Sequence, residues 1–598
     1  MSGEENELAT VAELSKRRGF FFQSVEAYGG VAGFFTYGPQ GADLKRNIED
    51  AWRDRFLTRE GHMEISAPDV MPEPVFESSG HLDGFDDMIV DCPECGESHR
   101  ADHLVEDHPD SEYEDAEALG IERVAELIAE LDVACPACEA PLAGEPVDEF
   151  NLMFETDIGP GSSQPGYLRP ETAQGIFVEF PRLKEYARGK LPFGVGQVGK
   201  AWRNEIAPRR GLIRVREFTQ AELEHFIDPE TDEPPLGDVA DVELPLYSAA
   251  AQDAADGDIE TLTVREAVDE GIVASEWIAY YLGVARDWYD GIGVDMDRFR
   301  YRQHLPGERA HYAVDCWDAE VEIGGDWIEA TGFASRGDYD LSNHAAGSGE
   351  EFTVFKQYDE PKTVERPTVD PDMSTLGPEF GGEAGAVADA LADLAARDPG
   401  AFEEETVTVE VDGESYEVAT DVANFAVETV TEAGEHVTPH VIEPSFGIGR
   451  LFYTTLAHSL RTDEVDGEER TYLELPAELA PTFACVAPLV SNEPAIVDRA
   501  ESVREELRAA GFDVAYDESG SIGRRYRRQD EVGTPVCVTV DHETVECDEF
   551  DAATVTLRDR DTTAQARVAV DDLTAHLTAL RAGTDFADLL DRDGVHSV

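Results

Sequence analysis

The residues best suited to chemistry lie in an arginine-rich segment between Gly199 and Phe218. A short apolar step leads to Arg203, and a glycine-containing loop separates it from Arg214 and Arg216. This pattern predicts strand, loop and strand, a hairpin that presents fixed positive charge. Because the planar guanidinium fork suits phosphate, the hairpin is a candidate nucleotide-phosphate site. A surface hairpin with ordinary salt bridges is the alternative, since an arginine cluster alone does not establish a ligand.

A glycine-rich segment at 443–450 offers a second group of this kind. It predicts a strand, a turn containing Gly447 and Gly449, and the start of a helix that carries Arg450. Glycines let a ligand approach the backbone closely, and a helix N-terminus favours anions. A plain glycine-rich turn would have the same pattern. Together with the arginine hairpin, however, the segment predicts a site for the phosphates of a nucleotide.

The cysteines suggest a metal site. Two C-x2-C pairs, Cys92 with Cys95 and Cys135 with Cys138, supply the four ligands of a structural tetrahedral Zn2+. Reduced thiols without a metal are the alternative. Three nearby histidines are substitute ligands: His99, His103 and His108.

A basic run, Arg524 to Arg528 around Tyr526, is a candidate RNA contact. Basic side chains around an aromatic ring suit single-stranded RNA through phosphate contact and base stacking. The alternative is a helix face that pairs with nearby acids such as Asp517 and Glu531.

The net charge of −81, from 128 acidic against 47 basic residues, dominates the composition. It predicts a protein of a salt-saturated cytoplasm, as in haloarchaea, because molar salt screens the self-repulsion. Such charge argues against a nucleic-acid partner only weakly, since under screening the local patches decide. No run approaches the roughly 18 apolar residues of a membrane helix, and the N-terminus lacks a secretory pattern. We therefore expect a cytoplasmic protein without a membrane partner.

The elements that must position these groups follow from length and periodicity. A chain of 598 residues predicts several domains. A helix at 42–58 is predicted by apolar residues at every fourth position, namely Leu44, Ile48, Trp52 and Phe56. After residue 479 strands and helices alternate, which predicts a separate α/β domain of roughly 120 residues.

Taken in order, these segments resemble the class II aminoacyl-tRNA synthetases, and best the glycyl-tRNA synthetases of the dimeric, archaeal and eukaryotic-like type. Residues 199–226 resemble motif 2, 443–450 resemble motif 3, and 61–68 resemble motif 1, which forms the dimer interface in this class. Further matching segments are RRGFFFQSVEAYGGVAGFFTYGPQG (17–41), RADHL (100–104), YLRPETAQGIF (167–177), CWDAE (316–320), DYDL (338–341) and GSIGRRYRRQDEVGTP (520–535).

The resemblance implies an α+β fold, with an antiparallel-sheet catalytic core, helical insertions and a C-terminal α/β anticodon-binding domain. The expected segments are the N-terminal part of the catalytic domain with motif 1 at 1–90, a Cys-containing insertion at 91–149, core with motif 2 at 150–227, an insertion at 228–300, core strands at 301–345, an insertion at 346–430, core with motif 3 at 431–474, and the anticodon-binding domain at 479–598.

The resemblance also implies a glycine–tRNA ligase, a homodimer that forms glycyl-adenylate and pyrophosphate from glycine and ATP and then transfers glycyl to the 3′ end of tRNA(Gly). Arg203 is expected to hold the α-phosphate and Arg450 the γ-phosphate, while Glu329 could ligate Mg2+ through oxygen. The expected ATP contacts are Arg203, Asn204, Glu205, Ile213, Arg214, Val215, Arg216, Glu217, Phe218, Glu329, Ala330, Gly447, Ile448, Gly449 and Arg450. The expected glycine contacts are Arg100, Glu171, Phe218, Thr219, Gln220, Ala221, Glu222, Glu443, Pro444, Ser445, Phe446 and Gly447.

Two other functions fit part of this pattern. A sister class II synthetase would show another substrate pocket, and the RPETAQ, FTQAE and EPSFG segments argue against it. A non-catalytic, synthetase-like nucleic-acid-binding protein can lose the ATP arginines, whereas Arg203, Arg216 and Arg450 are all present.

Overall fold

The computed structural model describes residues 3–598 except 112, 114–115, 117–118, 161–163, 209–210, 255–256, 306–314, 412, 466 and 548–551, with side chains from residue 8 onward. The chain forms two compact units. The first comprises Met1–Leu183, Leu191–Phe352 and Pro439–Val598, and the second comprises Lys184–Lys190 and Thr353–Thr438.

A sheet of nine described strands forms the centre of the first unit. Its order is Glu260–Thr263, Glu243–Tyr247, Phe299–Gln303, Cys316–Ile323, Asp326–Gly337, His440–Gly447, Glu217–Ile227, Phe193–Trp202 and Met63–Glu64. Six of its eight pairings are antiparallel, and the two parallel ones lie between the second and third strands and at the Met63–Glu64 edge. The predicted α+β class is thereby confirmed.

Helices cover one face of this sheet and bury its apolar side chains. Helix Pro39–Trp52 begins with proline at its first turn, a favoured position because the missing N–H has no helical partner there. It continues as a π-helical stretch to Thr58, so the predicted helix at 42–58 is present. Phe446 lies at the centre of an aromatic cluster formed by Trp52, Phe56, Trp288 and Phe333. Burial of each such side chain stabilises the fold by about 1.5–3 kcal/mol.

The segment 228–300, expected from the sequence as an insertion, lies within the first unit. It contributes strands Glu243–Tyr247 and Glu260–Thr263 to the central sheet and packs helix Glu276–Gly291 into the same core. The physical reason is the composition of that helix. Its apolar residues extend around most of its circumference, so it is stable only when covered on most sides.

The cysteine-bearing segment has a small core of its own. Strands Asp86–Asp91, Ser98–Arg100 and Val147–Asn151 form a three-stranded antiparallel sheet. Helices Ala101–Glu106 and Ile121–Glu130 pack with it through Val105, Val124 and Leu127.

The C-terminal part forms the predicted α/β domain. Its sheet has the order Val514–Tyr516, Ala484–Pro488, Val536–Val540, Thr554–Asp559, Gln565–Ala569 and His596–Ser597, parallel in the first three strands and antiparallel after them. Its helices are Pro494–Ala509, Ile522–Val532, His542–Glu546, Leu573–Arg581 and Phe586–Leu590. This domain has a separate hydrophobic core.

Further helices and strands complete the first unit. They are helices Gly3–Arg18, Glu73–Ser78, His81–Gly84, Ala173–Phe177, Ala249–Gln252, Val264–Asp269, Tyr339–Ser348 and Ile448–Ser459, helix Phe180–Tyr186, which runs on into the second unit's sequence, and strands Phe21–Gln23, Phe35–Tyr37, Val70–Pro72, Phe154–Asp157, Pro165–Leu168, Leu460–Val465 and Glu468–Leu473.

The second unit overlaps the expected insertion at 346–430. It consists of strand pairs Val354–Thr368 with Ala426–Val437 and Thr406–Val411 with Glu414–Ala419, and helices Met373–Phe380, Ala384–Arg397 and Thr420–Ala423. Across all described residues, no helix has the length and apolarity required to cross a membrane.

Candidate active site

The arginine hairpin and the glycine-rich segment are neighbours in the central sheet. Strands Phe193–Trp202 and Glu217–Ile227 form the predicted hairpin. The second of these pairs with His440–Gly447, so that Gln220 lies opposite Gly447. Helix Ile448–Ser459 starts directly after that strand. Two segments separated by more than 200 residues in sequence therefore present their side chains to one site.

A pocket opens between the hairpin and the helix start. Its lining residues are Arg203, Glu205, Leu212, Ile213, Arg214, Val215, Phe218, Thr219, Gln220, Glu329, Ala330, Ser445, Gly447, Gly449 and Arg450. All of these except Leu212 were predicted from the sequence as ATP or glycine contacts. Leu212 is a buried apolar residue of the hairpin loop and carries no chemical signal that sequence reasoning could use.

Arg203 is the arginine most open to a ligand. Its guanidinium lies over the rings of Phe85, at 5.3 Å from the centroid, and Phe218, at 5.4 Å. Its Nε donates to the Pro170 carbonyl at 3.3 Å. Among the described residues no carboxylate comes within ion-pair distance of it. In so acidic a chain, an unpaired arginine held by two rings is suited to an incoming anion.

Arg450 enters the pocket from the helix start. Its Nε donates to the Ile213 carbonyl at 3.2 Å, and its Nη1 donates to the Glu329 carbonyl at 2.7 Å and lies 3.2 Å from Glu329 Oε2. Partial burial raises the pKa of the Glu329 carboxyl, but Arg450 and Arg203 outweigh burial and hold this pKa below its ordinary value. Glu329 is therefore an anion with one half of its side chain exposed.

The other two hairpin arginines hold the loop. Arg214 Nε donates to Glu205 Oε2 at 2.7 Å. Arg216 donates to the backbone carbonyls of Glu205 at 3.0 Å and Ala32 at 3.1 Å. These bonds fix the loop beside the pocket and leave Arg203 and Arg450 as its two principal cations.

Carboxylates gather behind the pocket wall, next to its lining residues Gln220 and Ser445. Glu222, only 1% exposed, accepts hydrogen bonds from Gln220 at 2.8 Å, from Ser445 at 2.7 Å and from Thr172. Burial raises the pKa of Glu222, the nearby Glu171 raises it further, and the hydroxyl donors oppose both. Three donors on one carboxylate fix its position.

Arg336 organises these acids, and sequence reasoning missed it. It is 4% exposed, and it contacts Glu443 Oε2 at 2.6 Å and both oxygens of Asp340 at 2.7 and 3.0 Å. Burial and the nearby carboxylates of Glu222 and Glu171 raise the pKa of Glu443, and Arg336 acts against them. Glu171 accepts from Gln174 at 2.9 Å. Burial raises the pKa of Glu171, but His81 and Arg336 outweigh burial and hold it well below its ordinary value. One feature of the sequence could have identified Arg336: Asp340 follows it by four residues, a spacing that permits an ion pair across the turn from strand to helix.

Several predicted contacts lie away from the pocket because side chains alternate along a strand. Ala221, Phe446 and Ile448 belong to the hydrophobic core. Only the backbones of these three residues are available to a ligand. The main-chain N–H of Asn204 donates to Leu152, Glu217 pairs with Lys200 at 2.7 Å, and Pro444 is buried opposite Phe333. Arg100 is bound by Asp87 at 2.5 Å and Asp102 at 2.9 Å, and it does not line the pocket.

The four predicted cysteines form a cluster that could hold a metal ion. Their sulfurs lie within 4.8 Å of one another. Cys92 is 3.5 Å from Cys138, and Cys95 is 3.7 Å from Cys135. With a Zn–S bond of about 2.3 Å, the sulfurs of a tetrahedron lie about 3.8 Å apart, so the spacing fits. His99 Nε2 lies 3.2 Å from Cys135 Sγ, and His103 and His108 are not in the cluster.

The basic run in helix Ile522–Val532 is largely occupied by internal bonds. Arg525, 2% exposed, donates to the carbonyls of Pro488, Glu518 and Gly520. Further along the helix, Arg527 binds the Glu469 carbonyl and Arg528 pairs with Asp517. Only Arg524 is exposed without a hydrogen bond or ion pair in the described structure. Most of the run is therefore bonded within the protein, but chiefly to backbone carbonyls; of the acids expected as partners, Asp517 pairs with Arg528.

Comparison with known proteins agrees with this geometry. Residues 162–459 match the family described as tRNA synthetase class II core domain (G, H, P, S and T), and residues 484–580 match the anticodon binding domain. A glycine–tRNA ligase of Methanothrix thermoacetophila is 48% identical over 94% of this chain and 95% of its own length. The glycine–tRNA ligases of Methanothermobacter thermautotrophicus and Thermococcus gammatolerans are each 45% identical, over 95% and 98% of this chain and over 98% and 100% of their own lengths.

Proposed function

The chain belongs to the glycine–tRNA ligases of the class II synthetases, and on that premise we propose how its pocket divides the work of activating glycine. In the first step a glycine carboxylate oxygen attacks the α-phosphorus of ATP, and the bond from that phosphorus to the pyrophosphate breaks. In the second a terminal ribose hydroxyl of tRNA(Gly) attacks the glycyl carbonyl carbon, and AMP leaves. The nucleophile of the first step is already ionised, so positioning and charge stabilisation carry the rate.

The observation that carries the proposal is that Arg203 and Arg450 line one pocket, and that two other residues of its wall, Gln220 and Ser445, donate hydrogen bonds to the buried carboxylate of Glu222. We assign the α-phosphate to Arg203, because its guanidinium is held by rings and lacks a carboxylate partner among the described residues. The γ-phosphate goes to Arg450 at the helix start, where backbone N–H groups favour anions. Gly447 and Gly449 leave room for the nucleotide beside the backbone.

Glycine selection falls to the acids. The ammonium group of glycine suits Glu222, Glu171 and Glu443, while Ser445 and Thr172 hold Glu222 in place. Because glycine has no side chain, the site can select it by leaving no room for the side chain of a larger amino acid. Glu222, Glu443 and Arg336 are each less than a tenth exposed, so a larger amino acid would have to displace tightly bonded polar groups.

Mg2+ fits this site, because hard cations prefer carboxylate oxygen and Glu329 offers one at the pocket wall. When bound, Mg2+ neutralises phosphate charge. Glu329 would hold it, and the ion pair with Arg450 fixes the orientation of that carboxylate.

Zn2+ fits the cysteine cluster by ligand type and by sulfur spacing. Cys92, Cys95, Cys135 and Cys138 would hold it and so tie the two C-x2-C turns together.

We further propose that the domain at 479–598 binds the anticodon of tRNA(Gly), with Arg524 as its exposed basic contact. Arg524→Ala should raise KM for tRNA severalfold and leave glycine-dependent ATP–pyrophosphate exchange unchanged. Arg499→Ala, which changes a partly exposed arginine elsewhere in the domain that pairs with Glu506, is the control. Equal effects of the two substitutions on KM for tRNA would count against the assignment.

A homodimer through the motif 1 segment at 61–68 and a cytoplasmic location under high salt complete the proposal. They rest on the family's motif and on the charge of −81. Light scattering in molar KCl tests the dimer, and a monomer there would contradict it.

Catalysis is favoured over a non-catalytic nucleic-acid-binding role because Arg203 and Arg450 both line the pocket. The decisive test is glycine-dependent ATP–pyrophosphate exchange. Exchange driven by threonine or proline would instead indicate a sister synthetase.

A further inference from the structure

One buried acid beside the glycine pocket has no role in the chemistry described above. Glu224 is 0% exposed, and neither of its carboxylate oxygens has a hydrogen-bond partner among the described residues. A buried, unpartnered carboxylate is costly as an anion. Its presence in the strand that carries Glu222 calls for an explanation.

The sheet places Glu224 directly beside Glu443. Strand Glu217–Ile227 pairs with strand His440–Gly447 with Glu222 opposite Ser445 and His225 opposite Ile442, without a shift in register between these pairs. Glu224 therefore falls opposite Glu443 on the same face. The Cβ atoms of such a pair are about 5 Å apart, and like charges there repel. On the other flank Glu224 is opposite Val195, which offers no polar group.

The surrounding charges show which acid carries a proton. Four charged groups act on Glu224: Glu443 of the neighbouring strand, Glu222 of its own strand, Arg336 of strand Asp326–Gly337, and Asp340 of helix Tyr339–Ser348. Arg336 gives its short contacts to Glu443 and Asp340. Glu222 has three hydrogen-bond donors. Glu224 has none in the described structure, so it is the acid least able to remain ionised.

The electrostatics agree with this geometry. Burial raises the pKa of Glu224 well above its ordinary value, and Glu443 raises it further, while Arg336 opposes both. The pKa of Glu443 is also raised, but its ion pair with Arg336 at 2.6 Å favours the charged form there. When two neighbouring acids compete for one proton, it stays on the one without a cation.

We propose that Glu224 is a positioning residue that works as a neutral carboxylic acid, and that its neutrality keeps Glu443 ionised on Arg336 for the ammonium group of glycine. This inference rests on the proposed function, since it gives Glu443 a substrate contact. If Glu224 were an anion, Glu443 would take up the proton and lose that contact. The carboxylate of glycine would also meet one more negative charge.

The test is Glu224→Gln, which fixes the neutral state in nearly the same shape. We expect KM for glycine to stay within about threefold of the wild-type value, whereas Glu443→Gln should raise it by about a hundredfold, close to the loss of one charged contact. The infrared carbonyl band of a protonated carboxylic acid should be present in the wild-type protein and reduced in Glu224→Gln. KM for ATP and the melting temperature serve as the controls for binding and folding.

Either of two results would overturn the inference: a Glu224→Gln variant as impaired for glycine as Glu443→Gln, or an infrared acid band equal in the wild-type and Glu224→Gln proteins. Failure of the proposed function is distinguishable, because the wild-type protein would then show no glycine-dependent exchange at all. The infrared comparison does not require activity and decides the protonation of Glu224 in either case.

Discussion

Replacement of Arg203 by alanine is the most direct perturbation of the proposed phosphate site. The side chain makes one backbone hydrogen bond, at 3.3 Å, and two ring contacts, so its terminal nitrogens remain available to the α-phosphate. Loss of one preorganised donor to developing charge costs about 3–4 kcal/mol of transition-state stabilisation. Because Arg203 is only half-buried, we expect the lower figure, a loss of roughly a hundredfold in kcat.

The effect on the fold should be small by comparison. Two cation–π contacts at a partly exposed site contribute about 0.5–1 kcal/mol each, which is well below the stability of a typical domain. Arg203→Lys keeps the charge and loses the planar fork, so its activity should lie between those of wild type and Arg203→Ala.

The assay is glycine-dependent ATP–pyrophosphate exchange in molar KCl, with the melting temperature measured in parallel. Arg499→Ala removes a similarly half-exposed arginine far from the pocket and serves as the matched control. Exchange by Arg203→Ala within threefold of wild type, in a folded protein, would refute the assignment of Arg203 to the α-phosphate.

Four further predictions concern stability and metal. Burial lowers the pKa of His62 to about 4, with Glu60 opposing. The unfolded chain therefore binds this proton more readily between about pH 6.5 and pH 4, and stability falls as pH falls through that window. His62→Gln should flatten the decline, by under about 1.4 kcal/mol per pH unit, in thermal melts at several pH values; an unchanged slope would contradict this. Elemental analysis should find one zinc ion per chain in the wild-type protein and none in Cys138→Ser. The control Cys547→Ser, which changes an exposed cysteine outside the cluster, should retain the zinc. Arg525→Ala should destabilise the C-terminal domain by about 3 kcal/mol or more, because three carbonyls lose a buried donor. Denaturant unfolding measures this change, and a fall in the free energy of unfolding of less than about 1 kcal/mol would count against the prediction. The melting temperature should rise from dilute to molar KCl as salt screens the charge of −81, and a flat response would remove the halophilic proposal.

The fold and the pocket could be predicted wherever a single sequence pattern determines both the type of an element or residue and its place in the structure. Helical periodicity located the helix that buries Leu44 and Trp52. The two motifs located Arg203 and Arg450 at the pocket, because arginine at a loop and at a helix start suits phosphate. Motif segments do not show which way each side chain points. For that reason Phe446 was predicted to contact glycine, although it lies at the centre of the core.

Tertiary context decided the rest. The contact of Arg336 with Glu443 could not be predicted, because the two residues are more than 100 positions apart in sequence. They meet only because their strands are adjacent in the sheet. The segment 228–300 was expected as an insertion on account of its acidic, proline-rich beginning. Its later apolar helix packs into the core beside the central sheet, a contact that the local sequence does not show. Likewise the arginines around Tyr526 looked alike in sequence, and only folding separates the buried Arg525 from the exposed Arg524.

The central claim is that the pocket between Arg203 and Arg450 joins ATP to glycine under selection by the buried acids. Its most direct test is ATP–pyrophosphate exchange by the purified protein in molar KCl, with glycine, alanine, serine, threonine and proline compared side by side. We predict exchange with glycine and at least a hundredfold less with the other four, a discrimination of about 3 kcal/mol. Exchange that does not require glycine, or that alanine supports equally well, would contradict the account.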